Sequence, residues 1–461
     1  MPPRRPRFAR DGFARVIRRA SGGLLMLPWF DAAALRMLTQ WYFPLSRGWA
    51  AAMAAAGSPD RFAQAIPCGP FARRLLPGIL GRVEERKAAL ATADAAWEAA
   101  FFGAGPAHTS IEAARLRAAM ALGNLRGALV PLHLRSPLPA VAWHIEAPEQ
   151  VAQRHGGRLE RPDEAFADDF DLAGIEVSRG FLSSLGVEGW LRFPAPTAVA
   201  PGPAWARVAA PLLAGSKASP RGPSLVFTHG IAMETEFTGA TRHSLAGLLG
   251  AGIRVIRPEG PWHGRRRKLG TYGGEPIFAG GPGGLLDYFH AHVIELGRLV
   301  AWARATRGGP VCLGGVSLGA LTAQLAAVVA RDWPAEMRPD ALFLVAPSHS
   351  LLAVTFEGSL TRELGVPRAI RAGGWSVAEI NRWRPLLDPV AEPAVDPSRI
   401  VVVIGRSDDV TLTAGGEALV EAWKLPAENV FRAPAGHFST SLGLARDTAP
   451  FTRLLQILRP A

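Results

Sequence analysis

Apolar positions fall into two textures along the 461-residue chain. Up to about residue 132 they are scattered among Ala and Arg at helical spacing, without β-branched runs. The Ala-rich stretches 31–56 and 83–103 therefore predict helices, with Pro44 expected to interrupt the first. Thr109, followed three residues later by Glu112, has the form of a capping box and predicts a helix running to about 124. Beyond about residue 180 the apolar residues gather into short unbroken runs. Strands are expected at 187–193 and 206–213, separated by a Pro-rich turn, and then at 224–228, 253–256, 311–314, 341–345, 400–404 and 429–433. Runs without polar alternation suit strands buried on both faces. Helical stretches such as 286–305 and 318–331 separate most of them, and that alternation predicts an α/β architecture with a mostly parallel central sheet. Between the two textures lies a Pro-rich, then acidic segment near 147–175, with Asp163, Glu164, Asp168, Asp169 and Asp171, which predicts a solvated linker.

Charge changes this picture little. The chain carries a formal +12, but residues 1–30 hold seven Arg and one acid, half of that excess. The remainder is only mildly basic, so a nucleic-acid surface spread over the chain is excluded. In the basic arm, Phe13, Val16, Ile17 and Ala20 share one helical face with Arg15, Arg18 and Arg19 between them. Residues 1–20 are thus expected either to touch an anionic membrane peripherally or to remain a solvated tail. The apolar stretch 24–30 is too short for a spanning helix, contains Pro28, and lacks a small-residue cleavage site. It is read as mature protein. Two cysteines, Cys68 and Cys312, cannot form a disulfide framework, which favours a cytoplasmic, reducing location, with membrane association through the arm.

The chemistry sits in the second half. Gly315-Val316-Ser317-Leu318-Gly319 follows the 311–314 strand and precedes a helix. A strand turning sharply into a helix strains its central residue and needs small neighbours, here Gly315 and Gly319; it also lifts the hydroxyl above the sheet. A serine nucleophile requires a base, and the base an orienting carboxylate; in folds that carry such a strand-to-helix serine turn the chain order is Ser, acid, His. His437, just after the last strand, is the base candidate; His349 comes too early. Asp408, three residues after Gly405, is preferred as the acid over its neighbour Asp409 and over Asp388, which precedes the strand. An oxyanion hole then needs two backbone N–H donors, expected from Leu318 and from Ile231 in the loop after the 224–228 strand, with His229 and Gly230 supporting that loop. Arg265, Arg266, Arg267 and Lys268 offer an anionic head group a binding place, or form a solvated loop pairing with Glu259 and Glu275, the preferred reading. The insertion 348–399 is the expected lid. Leu351, Leu352, Val354, Phe356, Leu360, Ile370, Trp375 and Trp383 line an acyl pocket or make the insertion's own core. No metal-ligand spacing and no dinucleotide or phosphate-loop motif is present, so neither metal nor cofactor is expected.

Together these residues resemble the α/β-hydrolase superfamily over about 185–461. More loosely, the runs 257–266 (RPEGPWHGRR), 396–403 (DPSRIVVV) and 433–439 (APAGHFS) are similar to the alpha/beta hydrolase domain-containing protein 18 type. The resemblance implies an α/β-hydrolase domain at 181–461 behind an arm (1–30), a helical region (31–146) and a linker (147–180). It implies a serine hydrolase acting on a carboxylic ester, with a small-molecule or lipid acyl ester as substrate. The competing readings are a non-catalytic binding protein on the same fold and an acyltransferase using the same triad. The distance from Ser317 Oγ to the His437 ring discriminates the first of these.

Overall fold

The computed structural model describes residues 28–105, 108–169, 171–183, 186–211, 221–233 and 239–459. The arm 1–20, and with it the expected membrane contact, lies outside these residues. Among the described residues no helix is long and apolar enough to cross a membrane.

The described strands form one sheet: β1 (Glu176–Val177), β2 (Phe181–Ser183), β3 (Gly186–Phe193), β4 (Ala204–Ala210), β5 (Gly222–Thr228), β6 (Arg254–Glu259), β7 (Gly308–Val316), β8 (Ala341–Val345), β9 (Ile400–Gly405) and β10 (Val430–Ala433). Their order is β1-β3-β4-β6-β5-β7-β8-β9-β10, with β2 paired to β3. The pairs from β6 to β10 are parallel, whereas β3 and β4 run antiparallel to each other and β4 antiparallel to β6. This is the α/β-hydrolase fold. The short edge strands β1 and β2 carry no apolar run, and the sequence did not announce them. β4 ends at Ala210, before Pro211, which has no N–H to give the ladder.

The apolar runs work as two-sided strands. β8 and β9 are buried at every position. Leu342, Leu344, Val402 and Ile404 enter one core with the helices Gly281–Arg307 and Leu318–Val329. Their alternates Phe343, Val345, Val401 and Val403 enter a second core, closed by Leu248 and Leu454 of the helices Gly239–Gly250 and Ala449–Ile457. From β5 the sheet continues to β6 on one side and to β7 on the other. That divergence opens a crevice at the carboxyl ends of β5 and β7, the usual ligand position in such sheets.

The amino-terminal region is helical, with its own core around Trp49, Phe62, Leu76, Leu80 and Leu122. Pro44 does not interrupt its first helix. A π-helical turn, Leu38–Tyr42, joins Pro28–Met37 to Phe43–Ala54. The Gln40 carbonyl, which Pro44 lacks the N–H to satisfy, accepts instead from His133 Nε2 at 2.8 Å. Nor is Glu112 part of a capping box. The helix Thr109–Gly123 is capped by the His108 side chain, while Glu112 is buried, accepting from Trp97 Nε1 at 2.6 Å and pairing with Arg115 and Arg207. Arg207 lies on β4, so this cluster, with Trp97 against Trp190 and Trp205, fixes the helices to the leading strands.

The segment expected as a solvated linker is also packed. It contains the helix Pro148–Glu160, and Val151 and Phe166 are buried in the main core. Asp168 makes a two-pronged pair with Arg298 at 2.7 Å on each prong. That counter-charge comes from a helix 130 residues away, so this pair was not visible in the local sequence, whereas Asp163, Glu164, Asp169 and Asp171 are exposed as expected.

Candidate active site

Ser317 sits at the β7-to-helix turn with φ +56° and ψ −123°, a backbone strain of about 1–3 kcal/mol for a residue with a side chain. Its N–H donates to the Val345 carbonyl at 3.0 Å, which ties the turn to β8. The flanking glycines are steric requirements. A Cβ on Gly315 would lie 2.4 Å from the Gly319 backbone, and one on Gly319 would lie 2.4 Å from the Thr228 carbonyl. The helix Leu318–Val329 begins immediately after Ser317, so the Leu318 N–H has no acceptor within its own helix.

The loops after β9 and β10 bring the other two groups to it. The Ser317 hydroxyl lies 3.0 Å from His437 Nε2, and His437 Nδ1 donates to Asp408 Oδ2 at 2.8 Å. Asp408 is held in turn: Oδ1 accepts from the N–H groups of Val410 and Thr411, both at 2.9 Å, and Oδ2 accepts from the Thr411 hydroxyl at 2.8 Å. An acceptor-only carboxylate forces the proton onto Nδ1, which leaves Nε2 free to take one from serine. Burial alone would raise the Asp408 carboxyl; the His437 ring and then Thr411 outweigh it and hold the group below its ordinary value. Burial alone would lower His437; Asp408 foremost, then Asp31 and Asp409, raise it instead. Asp409 itself is exposed, and Asp388 is buried elsewhere, accepting from the Leu351 N–H and pairing with Arg384.

The loop after β5 reaches Ser317 from the other side. Gly230 is so close that a Cβ there would stand 3.4 Å from the Ser317 Cβ, and Ile231 follows on the cavity wall. His229 donates from Nδ1 to the Gly230 carbonyl at 2.8 Å and accepts the Gly260 N–H at Nε2, 3.0 Å away. Burial pushes this imidazole down to about 4, so it stays neutral. His263, which sequence reasoning did not single out, stacks edge-on at 4.5 Å and accepts the Ala232 N–H at 3.2 Å. Two neutral histidines thus pin the backbone on both sides of Ile231.

The basic run 265–268 makes different contacts from those expected. Arg266 is fully buried and pairs with Glu295 at 2.7 Å. Arg265 pairs with Asp94 at 2.9 Å and lies over the Trp97 ring at 4.3 Å, while Arg267 lies over Trp49 at 4.5 Å. Lys268 alone of the four is exposed. Of the two acids named as partners, Glu259 takes the Arg265 backbone N–H, and Glu275 pairs with Arg47 from the helical region. The local sequence held no sign of Asp94 or Glu295.

Ser317 opens onto two apolar lobes of unequal size. The larger, about 560 Å³, is roofed by Leu38, Tyr42, Phe43 and Met120 of the amino-terminal helices and by Phe438. The smaller, about 70 Å³, is lined by Ile231, Leu318, Leu351, Val354 and Ile370. Leu360 stands on the wall of both. The insertion 348–399 therefore walls the small lobe, and the helical region covers the large one. Trp375 and Trp383, expected as pocket or core, belong to the core.

Compared with known proteins, the sequence matches no family model and no curated protein. Among solved structures it is similar to acetyl xylan esterase 1 from Thermoanaerobacterium sp. JW/SL YS485, at 16% identity over 66% of this chain and 96% of that one, TM-score 0.43. An acetyl xylan esterase from Paenibacillus sp. R4 gives 14% identity over 70% and 97%, TM-score 0.45. The S-formylglutathione hydrolase from Agrobacterium tumefaciens gives 12% over 62% and 100%, TM-score 0.39. The chain is a protein of the α/β-hydrolase fold by its own strand order.

Proposed function

We propose that this protein is a serine hydrolase that cleaves a carboxylic ester of an apolar substrate. The observation that carries the reading is the unbroken relay from Ser317 through His437 to Asp408, at 3.0 and 2.8 Å. A binding protein on this fold has no need of that alignment, or of the strained backbone that presents Ser317. Ser317 Oγ attacks the ester carbonyl as its proton passes to His437 Nε2. The Leu318 and Ile231 N–H groups receive the charge that develops on the carbonyl oxygen, and Asp408 stabilises the imidazolium. His437 returns the proton to the departing alcohol and leaves an acyl-serine. Water, deprotonated by the same imidazole, attacks that acyl group and regenerates the hydroxyl.

The pH profile tests the relay. Attack needs a neutral His437, and its raised pKa moves protonation above the ordinary 6.5. Thus kcat/KM should fall tenfold per pH unit on the acid side, with the limb centred above 6.5. An acid limb centred well below that value would contradict the relay.

The unequal lobes support a substrate with one bulky apolar group and one small one. In a matrix of esters varying both the acyl and the alcohol parts, those with a single long chain should give the highest kcat/KM, and those with two long chains should be poor. Equal turnover of doubly bulky esters would overturn this assignment of the cavity.

A further inference from the structure

His437 opens the helix His437–Gly443, and the residue before it, Gly436, has no side chain with which to cap that helix. The second and third N–H groups of a helix are the ones a capping side chain ordinarily satisfies. Here they belong to Phe438 and Ser439, and both donate to Asp31 Oδ1, at 2.7 and 3.2 Å. The Ser439 hydroxyl donates to Asp31 Oδ2 and accepts the Gly436 N–H at 2.9 Å. Asp31 belongs to the helix Pro28–Met37, 407 residues from Phe438 in sequence, and is buried with Ser439. Gly436 has φ −89°, so its backbone does not demand glycine. The demand is spatial, because a Cβ there would stand 2.5 Å from the Asp31 carboxyl carbon. Gly436 is thus a docking point for a carboxylate carried by the helix Pro28–Met37.

We propose that Asp31 is a positioning residue for His437: it caps the catalytic helix from outside and sets the orientation and charge of its first residue. The proposal rests on the serine-hydrolase reading. The charged groups acting on His437 are Asp408 and Asp409 from the loop after β9 and Asp31 from the amino-terminal helix. Asp408 orients the ring by its hydrogen bond, and Asp31 fixes the backbone from which the ring projects. Removing the Asp31 charge should therefore lower the pKa of His437, and removing the cap should misplace the ring against Ser317.

The test compares Asp31→Asn with Asp31→Ala in the full chain. Asn keeps an oxygen for the two N–H groups and loses the charge, whereas Ala loses both. Fluorophosphonate labelling rates are measured against pH, with the His437 imidazole followed by NMR titration, assigned through His437→Gln. D31N should label within about threefold of wild type at its plateau, with the acid limb and the imidazole pKa both moved down. D31A should label at least tenfold more slowly at every pH. A purely structural Asp31 would lower the melting temperature of both variants and leave the imidazole titration unmoved, and that result overturns the proposal. So does a D31A labelling rate equal to wild type. Failure of wild type to react with the probe would reject the hydrolase reading instead, while the NMR titration would still report on Asp31.

Discussion

Replacing Ser317 by Ala should abolish fluorophosphonate labelling and lower kcat for a reactive ester by roughly 10^4- to 10^6-fold, with KM changed only a few-fold. The hydroxyl lies at the wall of the large lobe, and its loss removes the nucleophile while leaving the apolar lining in place. The residues of a relay act as a unit, so the Ser317→Ala/His437→Ala double variant should be scarcely worse than either single one. Steady-state kinetics with an activated ester, together with gel-based labelling, measure both. Residual turnover within tenfold of wild type in Ser317→Ala would mean that another group performs the attack.

The largest effect on stability is expected at Arg266. Its guanidinium and the Glu295 carboxylate are 0% and 1% exposed and meet at 2.7 Å. Glu295 also accepts from His292 Nδ1 at 3.0 Å, and His292 Nε2 lies 2.7 Å from the Thr228 hydroxyl, next to the His229–Gly230 loop. Arg266→Ala leaves a buried, uncompensated carboxylate and should cost about 3–5 kcal/mol in urea unfolding. The double variant Arg266→Met/Glu295→Leu removes both charges and should recover most of that loss. Lys268→Ala, at an exposed position, should stay within about 0.5 kcal/mol of wild type. Equal effects at 266 and 268 would show that the charge run is one solvated surface after all.

What the sequence conveyed and what it withheld divide along a physical line. The 341–345 and 400–404 runs were legible because a two-sided parallel strand needs only its own apolar residues to declare itself. The Ser317 elbow was legible from its five-residue pattern, because Gly315 and Gly319 approach each other within the turn, although Gly319 also answers to the Thr228 carbonyl of a neighbouring strand. Asp408 and His437 could be ranked because each follows a recognisable strand. Asp31, Asp94, Glu295 and His263 could not be found that way, since each acquires its role from a partner that only the folded chain brings near. The same limit applies to the cover of the large lobe: nothing in 31–132 says that those helices cross to Ser317. Likewise Glu112 matches a capping pattern by spacing, yet Trp97, Arg115 and Arg207 together hold it elsewhere.

The π-helical turn at Leu38–Tyr42 acts as a phase setter. A π turn is an α-helical turn carrying one extra residue, and each residue advances a helix by about 100°. That surplus residue therefore fixes the azimuth of everything before it relative to Phe43–Ala54, which is anchored by Arg47 on Glu275. Without it, the helix Pro28–Met37 would be rotated by more than a quarter turn, and Asp31 would face away from Ser439. A single codon in a stretch remote from the strands thus sets the angle at which the two ends of the chain engage.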